Sequence, residues 1–208
     1  MKISIINGSP KVNGVSSLII KQMEKLLDIP LKYYQATKLV HKETPSEDIE
    51  EILASDVLLI VAPLYVDSFP APLIELLTRL ENHVNPETSK PQVFAIINAA
   101  FDVSQTALSL EMVEHFANRS GFPWGYCVGI GKGSMIYSAG ENWEKGPASA
   151  VNLALLDLAE AIKLKASKPN VFVEPNFSGF LYKLIANISF FIEAKRNKAG
   201  KVGARPYV

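Results

Sequence analysis

Residues 7–17 read Asn-Gly-Ser-Pro-Lys-Val-Asn-Gly-Val-Ser-Ser, a run of small and hydroxyl-bearing side chains placed directly after a short apolar stretch and directly before a helical pattern. A loop of this kind feeds its chain into a helix N-terminus, where exposed N–H groups and the helix dipole favour a phosphate. Ser9, Ser16 and Ser17 are the candidate donors, with Lys11 as a supplementary charge. The same serines also suit capping of the helix that follows, so the loop alone leaves both readings open. Better-known phosphate loops fail on a required residue. Gly-x-Gly-x-x-Gly is absent, and Gln35-Ala36 offers no carboxylate for a ribose. In a P-loop four residues separate the two glycines and a lysine follows the second; here five residues separate Gly8 from Gly14, and Val15 follows. A phosphate-accepting aspartate is missing where Pro63 closes the third apolar run, and Cys127 is followed by Val-Gly-Ile-Gly-Lys-Gly, without the nearby arginine that phosphatase chemistry needs.

Two further loops complete the candidate site. Residues 62–72 (Ala-Pro-Leu-Tyr-Val-Asp-Ser-Phe-Pro-Ala-Pro) pair two aromatics with backbone-stiffening prolines, as a rigid wall for a planar ring requires. Asn98-Ala99-Ala100-Phe101-Asp102 offers small residues through which backbone N–H groups approach a ligand closely. Two ring-lining loops beside a monophosphate loop point to a flavin mononucleotide, although each aromatic taken singly also suits ordinary core packing.

These loops need a scaffold that brings them together. Short β-branched runs alternate with longer helical patterns, the signature of a parallel sheet covered by helices on both faces. Strands are expected at 2–7, 31–35, 57–62, 93–98 and, with the weakest signal, 124–130. Helices are expected from about Ser16 to Leu27, at 46–53, through Leu73 to Leu80, at 104–119 and at 148–166. In such sheets ligands bind beyond the carboxyl ends of the strands, where the strand order reverses. Gly131 to Gly146 form a long loop, with Tyr137 and Trp143, that either covers a ligand or is a surface excursion. Residues 171–193 carry Phe177, Phe180, Leu181, Leu184, Ile185, Ile188, Phe191 and Ile192 at i, i+3, i+4 steps, one strongly amphipathic helix. It suits core packing, a dimer contact or, least well, a membrane surface.

The 208 residues carry 21 Lys and Arg against 21 Asp and Glu, and 48% are hydrophobic, which fits a globular chain and gives no global attraction for nucleic acid. The balance is uneven: residues 193–208 set Lys195, Arg196, Lys198, Lys201 and Arg205 against the single Glu193, a net +4 that leaves 1–192 at −4. No apolar run approaches the roughly 18 residues of a membrane span, and Ile3 to Ile6 is too short for a signal peptide. With one cysteine and no internal disulfide, a cytoplasmic protein is expected. His41, His83 and His115 are scattered, so no metal site is expected.

The chain resembles the NAD(P)H-dependent FMN reductases and related flavodoxin-like oxidoreductases. The resemblance rests on Gly8-Ser9-Pro10-Lys11 with Gly14 and Ser16-Ser17-Leu18, on Pro63-Leu64-Tyr65 with Pro70-Ala71-Pro72-Leu73, and on Arg205-Pro206-Tyr207, and it covers about residues 1–130. It implies an α/β, flavodoxin-like, doubly wound five-stranded parallel sheet of order 2-1-3-4-5 over 1–170, with a C-terminal amphipathic helical extension and basic tail over 171–208. It further implies that Ser9, Lys11, Ser16 and Ser17 bind the FMN phosphate and that Pro63, Leu64, Tyr65 and Val66 line the isoalloxazine. Asn98 and Phe101 stand in the loop near the ring, which reads Asn-Ala-Ala-Phe where relatives carry glycines. Val15 replaces a residue that is often polar. The expected activity is hydride transfer from NAD(P)H through FMN to a quinone-like or other small oxidised acceptor, in a homodimer, with no side chain assigned as catalytic acid or base. Two other readings stand beside it: a flavodoxin-type electron carrier, and a flavodoxin-like module that has lost the flavin.

Overall fold

The computed structural model describes residues 1–41, 46–85, 87, 89–140 and 142–197. Lys198, Lys201 and the Arg-Pro-Tyr ending lie outside the described residues. Six apolar runs form one parallel sheet: β1 (Ile3–Asn7), β2 (Leu31–Gln35), β3 (Val57–Pro63), β4 (Gln92–Asn98), β5 (Trp124–Ile130) and β6 (Val171–Val173), in the order β2-β1-β3-β4-β5-β6. The first five strands take the expected order and β6 extends it.

β3 shows why the centre of the sheet reads as continuous apolar sequence. Successive side chains alternate across a strand, so Val57, Leu59 and Val61 enter one core and Leu58 and Ile60 the other, all fully buried. Helices α1 (Val15–Leu27) and α6 (Ser149–Leu164) cover the first face. The second is covered by α2 (Ala36–Val40), α3 (Ser46–Leu53), α4 (Ala71–His83) and α5 (Thr106–Arg119). α1 buries Ile19, Ile20, Met23 and Leu27 along one stripe. It stops where Asp28 turns left-handed (φ 50°) and its N–H meets the Glu24 carbonyl at 3.2 Å.

The structure departs from the sequence pattern after residue 170. The stretch 171–193 is not one helix: Val171–Val173 pairs in parallel with Val128–Ile130, and helix α7 begins only at Gly179 and runs to Arg196. A β-branched and aromatic triplet can meet the open hydrogen-bonding edge of β5, which a helix cannot. Residues just before β6 continue the cover: the Ser167 hydroxyl donates to the Trp124 carbonyl (2.6 Å), the Lys168 N–H to the Gly125 carbonyl (3.3 Å), and the Cys127 N–H to the Asn170 side chain (2.9 Å). Met1–Pro175 form one compact unit and Asn176–Val208 a second. In the second, α7 places Lys195 and Arg196 in its last turn, where cations suit the helix dipole.

Asp157 ties α6 to the sheet, accepting from the Tyr126 hydroxyl at 2.9 Å and from Lys168 at 2.5 Å. The Lys168 ammonium first, and the Tyr126 hydroxyl after it, hold its carboxyl below the ordinary carboxylate range. A carboxyl lowered in the folded chain stabilises the fold above its unfolded value of about 4, and the contribution fades as pH falls through the folded value. Because the pair is half-exposed, Asp157→Asn is expected to lower stability at pH 7 by only about 0.5 kcal/mol. The deficit should shrink toward pH 3, as urea unfolding of both proteins at the two pH values will measure.

Candidate functional site

The carboxyl edge of the sheet gathers three of the candidate loops through backbone pairing. Asn7 lies opposite Val61, and Pro63 opposite Asn98. The bonds continue past the strand ends: the Gly8 N–H donates to the Val61 carbonyl (2.9 Å), and the Leu64 N–H to the Asn98 carbonyl (2.9 Å). Gly8 suits this close approach, since a Cβ there would stand 2.6 Å from Leu73 Cδ2 and 3.0 Å from Ala62 Cβ and would force the Leu73 side chain to shift. Ser9, Ser16, Asn98, Pro63 and Leu64 therefore belong to one edge.

The first loop enters α1 through Gly14, an N-cap in extended conformation with no side-chain hydrogen bond. The serines are thus not the cap of α1, and the amides of Val15 and Ser16 begin a helix that supplies them no carbonyl. The three hydroxyls differ in what they do. Ser17 donates to the Val12 carbonyl (2.6 Å) and accepts from the Asn7 amide (3.1 Å), so it braces the loop. Ser9 Oγ accepts from the Lys11 N–H at 3.1 Å. Ser16, 1% exposed, accepts from the Asn98 amide at 3.1 Å. Lys11 itself is exposed.

Sequence reasoning passes over the residues that hold this loop in shape. Asn7 accepts from the Ser9 N–H (2.9 Å) and donates to the Tyr33 hydroxyl (3.0 Å); Tyr33 donates to Gln35 (2.5 Å), whose amide donates back to the Ser9 carbonyl. Their signal in the sequence is slight: a polar residue closing each of two otherwise apolar or amphipathic strands. Gln35, where a dinucleotide site would carry a carboxylate, is here a loop brace.

The second loop is a two-residue hairpin. Tyr65 and Ser68 exchange backbone bonds (2.8 and 3.3 Å) around Val66 and Asp67, both left-handed at φ 52° and 58°. A turn with two positive φ values prefers Asn and Gly, and a β-branched residue in it is strained. Val66 is 99% exposed, so packing does not compensate. The turn is held from outside, by Gln105 donating to Asp67 at 2.9 Å. Tyr65 and Phe101, 41% and 49% exposed, leave ring surface available at this edge.

The fourth strand's loop is joined to the long 131–146 segment. Ala99 donates to the Ile130 carbonyl, and Gly133 to the Ala99 carbonyl, both at 2.8 Å. Lys132 is left-handed (φ 48°) and pairs with Glu174 at 2.5 Å; the same carboxylate accepts from the Val103 N–H at 3.3 Å. The segment then runs as a 3-10 stretch, Gly133–Ala139, from which the Tyr137 hydroxyl donates to the Asn13 carbonyl at 3.4 Å. It is therefore fastened at one end to the fourth strand's loop and further along to the first, rather than free of both.

Among the described residues no group of three or more His, Cys, Asp or Glu is placed to hold a metal ion. The edge offers an uncapped helix start with a buried hydroxyl, flanked by partly exposed aromatics, which suits an anion joined to a planar ring.

A protein-family model described as NADPH-dependent FMN reductase matches residues 1–123. No curated protein matches the chain. Among solved structures, a flavone reductase aligns with a TM-score of 0.60 at 12% identity, over 84% of this chain and 66% of its own. The apo form of the NADH:FMN oxidoreductase EMOB aligns at 0.56 with 16% identity, over 80% of this chain and 90% of its own. FerB from Paracoccus denitrificans, a flavoenzyme NAD(P)H:(acceptor) oxidoreductase, aligns at 0.53 with 15% identity, over 77% and 94%. At these identities the likeness is one of fold.

The strain at Val66 is open to direct measurement. Val66→Asn keeps the left-handed turn, removes the β-branch and sacrifices no buried surface, so it is expected to stabilise the fold by about 1 kcal/mol. In a domain of this size that raises Tm by about 2–4 °C, readable by calorimetry.

Proposed function

The chain belongs to the NADPH-dependent FMN reductase family, and on that premise we propose that its acceptor is a small, planar, oxidised molecule of the quinone type. As a member it is an NAD(P)H-dependent flavin oxidoreductase. The observation that carries the site assignment is the uncapped start of α1 beside the buried Ser16 hydroxyl, which together fit a phosphate monoester. Ser9, Ser16 and the amides of Val15 and Ser16 would hold the FMN phosphate, with Lys11 adding positive charge. Pro63, Leu64, Tyr65 and Val66 would form one wall for the ring, with Phe101 at its other side.

FMN, when bound, supplies the two-electron chemistry that links a hydride donor to an acceptor. The chain's own work is positional. Asn7, Tyr33 and Gln35 hold the phosphate loop in one shape, Gln105 holds the hairpin, and the Lys132–Glu174 pair holds the start of the 131–146 segment beside the fourth strand's loop. No proton transfer is assigned to a side chain. The exposed faces of Tyr65 and Phe101 support a flat apolar acceptor rather than a charged one.

The proposal extends to assembly and compartment. The apolar stripe from Phe177 to Ile192 supports a homodimer in which a second copy covers α7. The lone Cys127 is buried in β5, and burial pushes its thiol up, an inert group that suits a reducing cytoplasm.

Purified protein is expected to bind FMN with a shifted visible spectrum, to bleach anaerobically with NADPH or NADH, and to recover its colour on addition of a quinone. Bound flavin that stays yellow with both nucleotides would favour an electron carrier, and failure to bind FMN would overturn the site assignment. In the same preparation, sedimentation equilibrium should give twice the chain mass.

A further inference from the structure

Asn98 closes β4 at the carboxyl edge, opposite Pro63 of β3 and Ile130 of β5, and is 5% exposed. Its amide nitrogen donates twice, to Ser16 Oγ at 3.1 Å and to the Ala62 carbonyl at 3.0 Å. A side-chain amide nitrogen carries two N–H groups, and its lone pair is delocalised into the carbonyl and accepts nothing, so both of its donors are engaged. The Ala62 carbonyl can only accept, which fixes which end of the amide faces it. Ser16 Oγ is consequently the acceptor in its bond with Asn98. Its proton donates to no group among the described residues, although the side chain is almost wholly buried.

We propose that Asn98 is a positioning residue for phosphate binding: by occupying an acceptor site of Ser16 it leaves the hydroxyl proton directed to the anion that the first loop receives. This rests on the FMN reading given above. It gives the two residues different roles, Ser16 touching the phosphate and Asn98 acting only through it. It also sets Ser16 apart from Ser17, whose proton is held by the Val12 carbonyl. Asn98 begins the loop that continues through Ala99 to Phe101, so one side chain fixes the phosphate end of the site from the strand that carries part of its ring end.

Riboflavin, which has the ring of FMN without its phosphate, separates this role from a general structural one. Dissociation constants for FMN and riboflavin, read from the quenching of flavin fluorescence, are to be compared in the wild type, Ser16→Ala, Asn98→Ala and the double variant. Each single substitution is expected to weaken FMN by about tenfold, the loss of one hydrogen bond to a charged group, and to leave riboflavin within about twofold. The double variant should bind FMN no worse than the weaker single, because both remove the same interaction. Equal weakening of FMN and riboflavin by Asn98→Ala, or effects that multiply in the double variant, would overturn the proposal. If Asn98→Ala does not fold, Asn98→Asp reads the same ratio with an acceptor in place of the donor. If neither folds, an unchanged preference for FMN in Ser16→Ala still defeats the proposal, because Asn98 acts only through that hydroxyl. A wild type that binds neither flavin fails the FMN reading itself. One that binds FMN no tighter than riboflavin keeps the ring site and loses the phosphate assignment together with the role of Asn98.

Discussion

The start of α1 has backbone N–H groups with no carbonyl to meet them and a glycine where a capping side chain would stand. Such an end is tolerated where an acceptor can approach, and the surrounding polar groups leave it open. Asn7 takes the Ser9 N–H, Ser17 takes the Val12 carbonyl, and Asn98 takes one side of Ser16, each removing a competitor for the same space. Gly8 brings the loop against Ala62 and Leu73, so the strand order of the sheet, and not the loop alone, determines where the helix begins.

A cross-bonded first loop and a strained hairpin make the edge unequal in how firmly its parts are held. The first loop is cross-bonded to β1, β2 and β4, whereas the hairpin at Val66 and Asp67 is tied through one Asp67–Gln105 hydrogen bond as well as its own two backbone bonds. Backbone strain of this sort concentrates at ligand-facing turns. On the proposed reading the phosphate end would be the fixed reference of the site, and adjustment to different acceptors would fall to the hairpin and the exposed aromatic faces.

Most of the scaffold is legible from periodicity because its strands are covered on both faces. Val57–Val61 and Val93–Ile97 read as unbroken apolar runs, and α1 shows its stripe directly. The site is legible by residue type: hydroxyls before a helix, prolines with aromatics, and small residues after the fourth strand. What does not show is pairing between distant positions. Nothing around Asn98 indicates that its amide meets a serine 82 residues away, and nothing around Gln35 that it returns to Ser9. A three-residue strand such as β6 is too short to impose a period, so an amphipathic pattern beginning nearby absorbs it. The left-handed turn at Val66 runs against the preference of its own residue and is visible only as an outlier once the chain is folded.

The cover along β5 bears on how copies of the chain meet at high concentration. Ser167, Lys168 and Asn170 hold one stretch of that strand and β6 holds the rest, so among the described residues this margin of the sheet ends in a three-residue strand. Polymerisation strand to strand needs a growing margin at both ends of each unit, as edge-on aggregation does. A sheet blunted on this side gives a further copy little to add to. Ribbon-like growth through this margin is then poorly propagated.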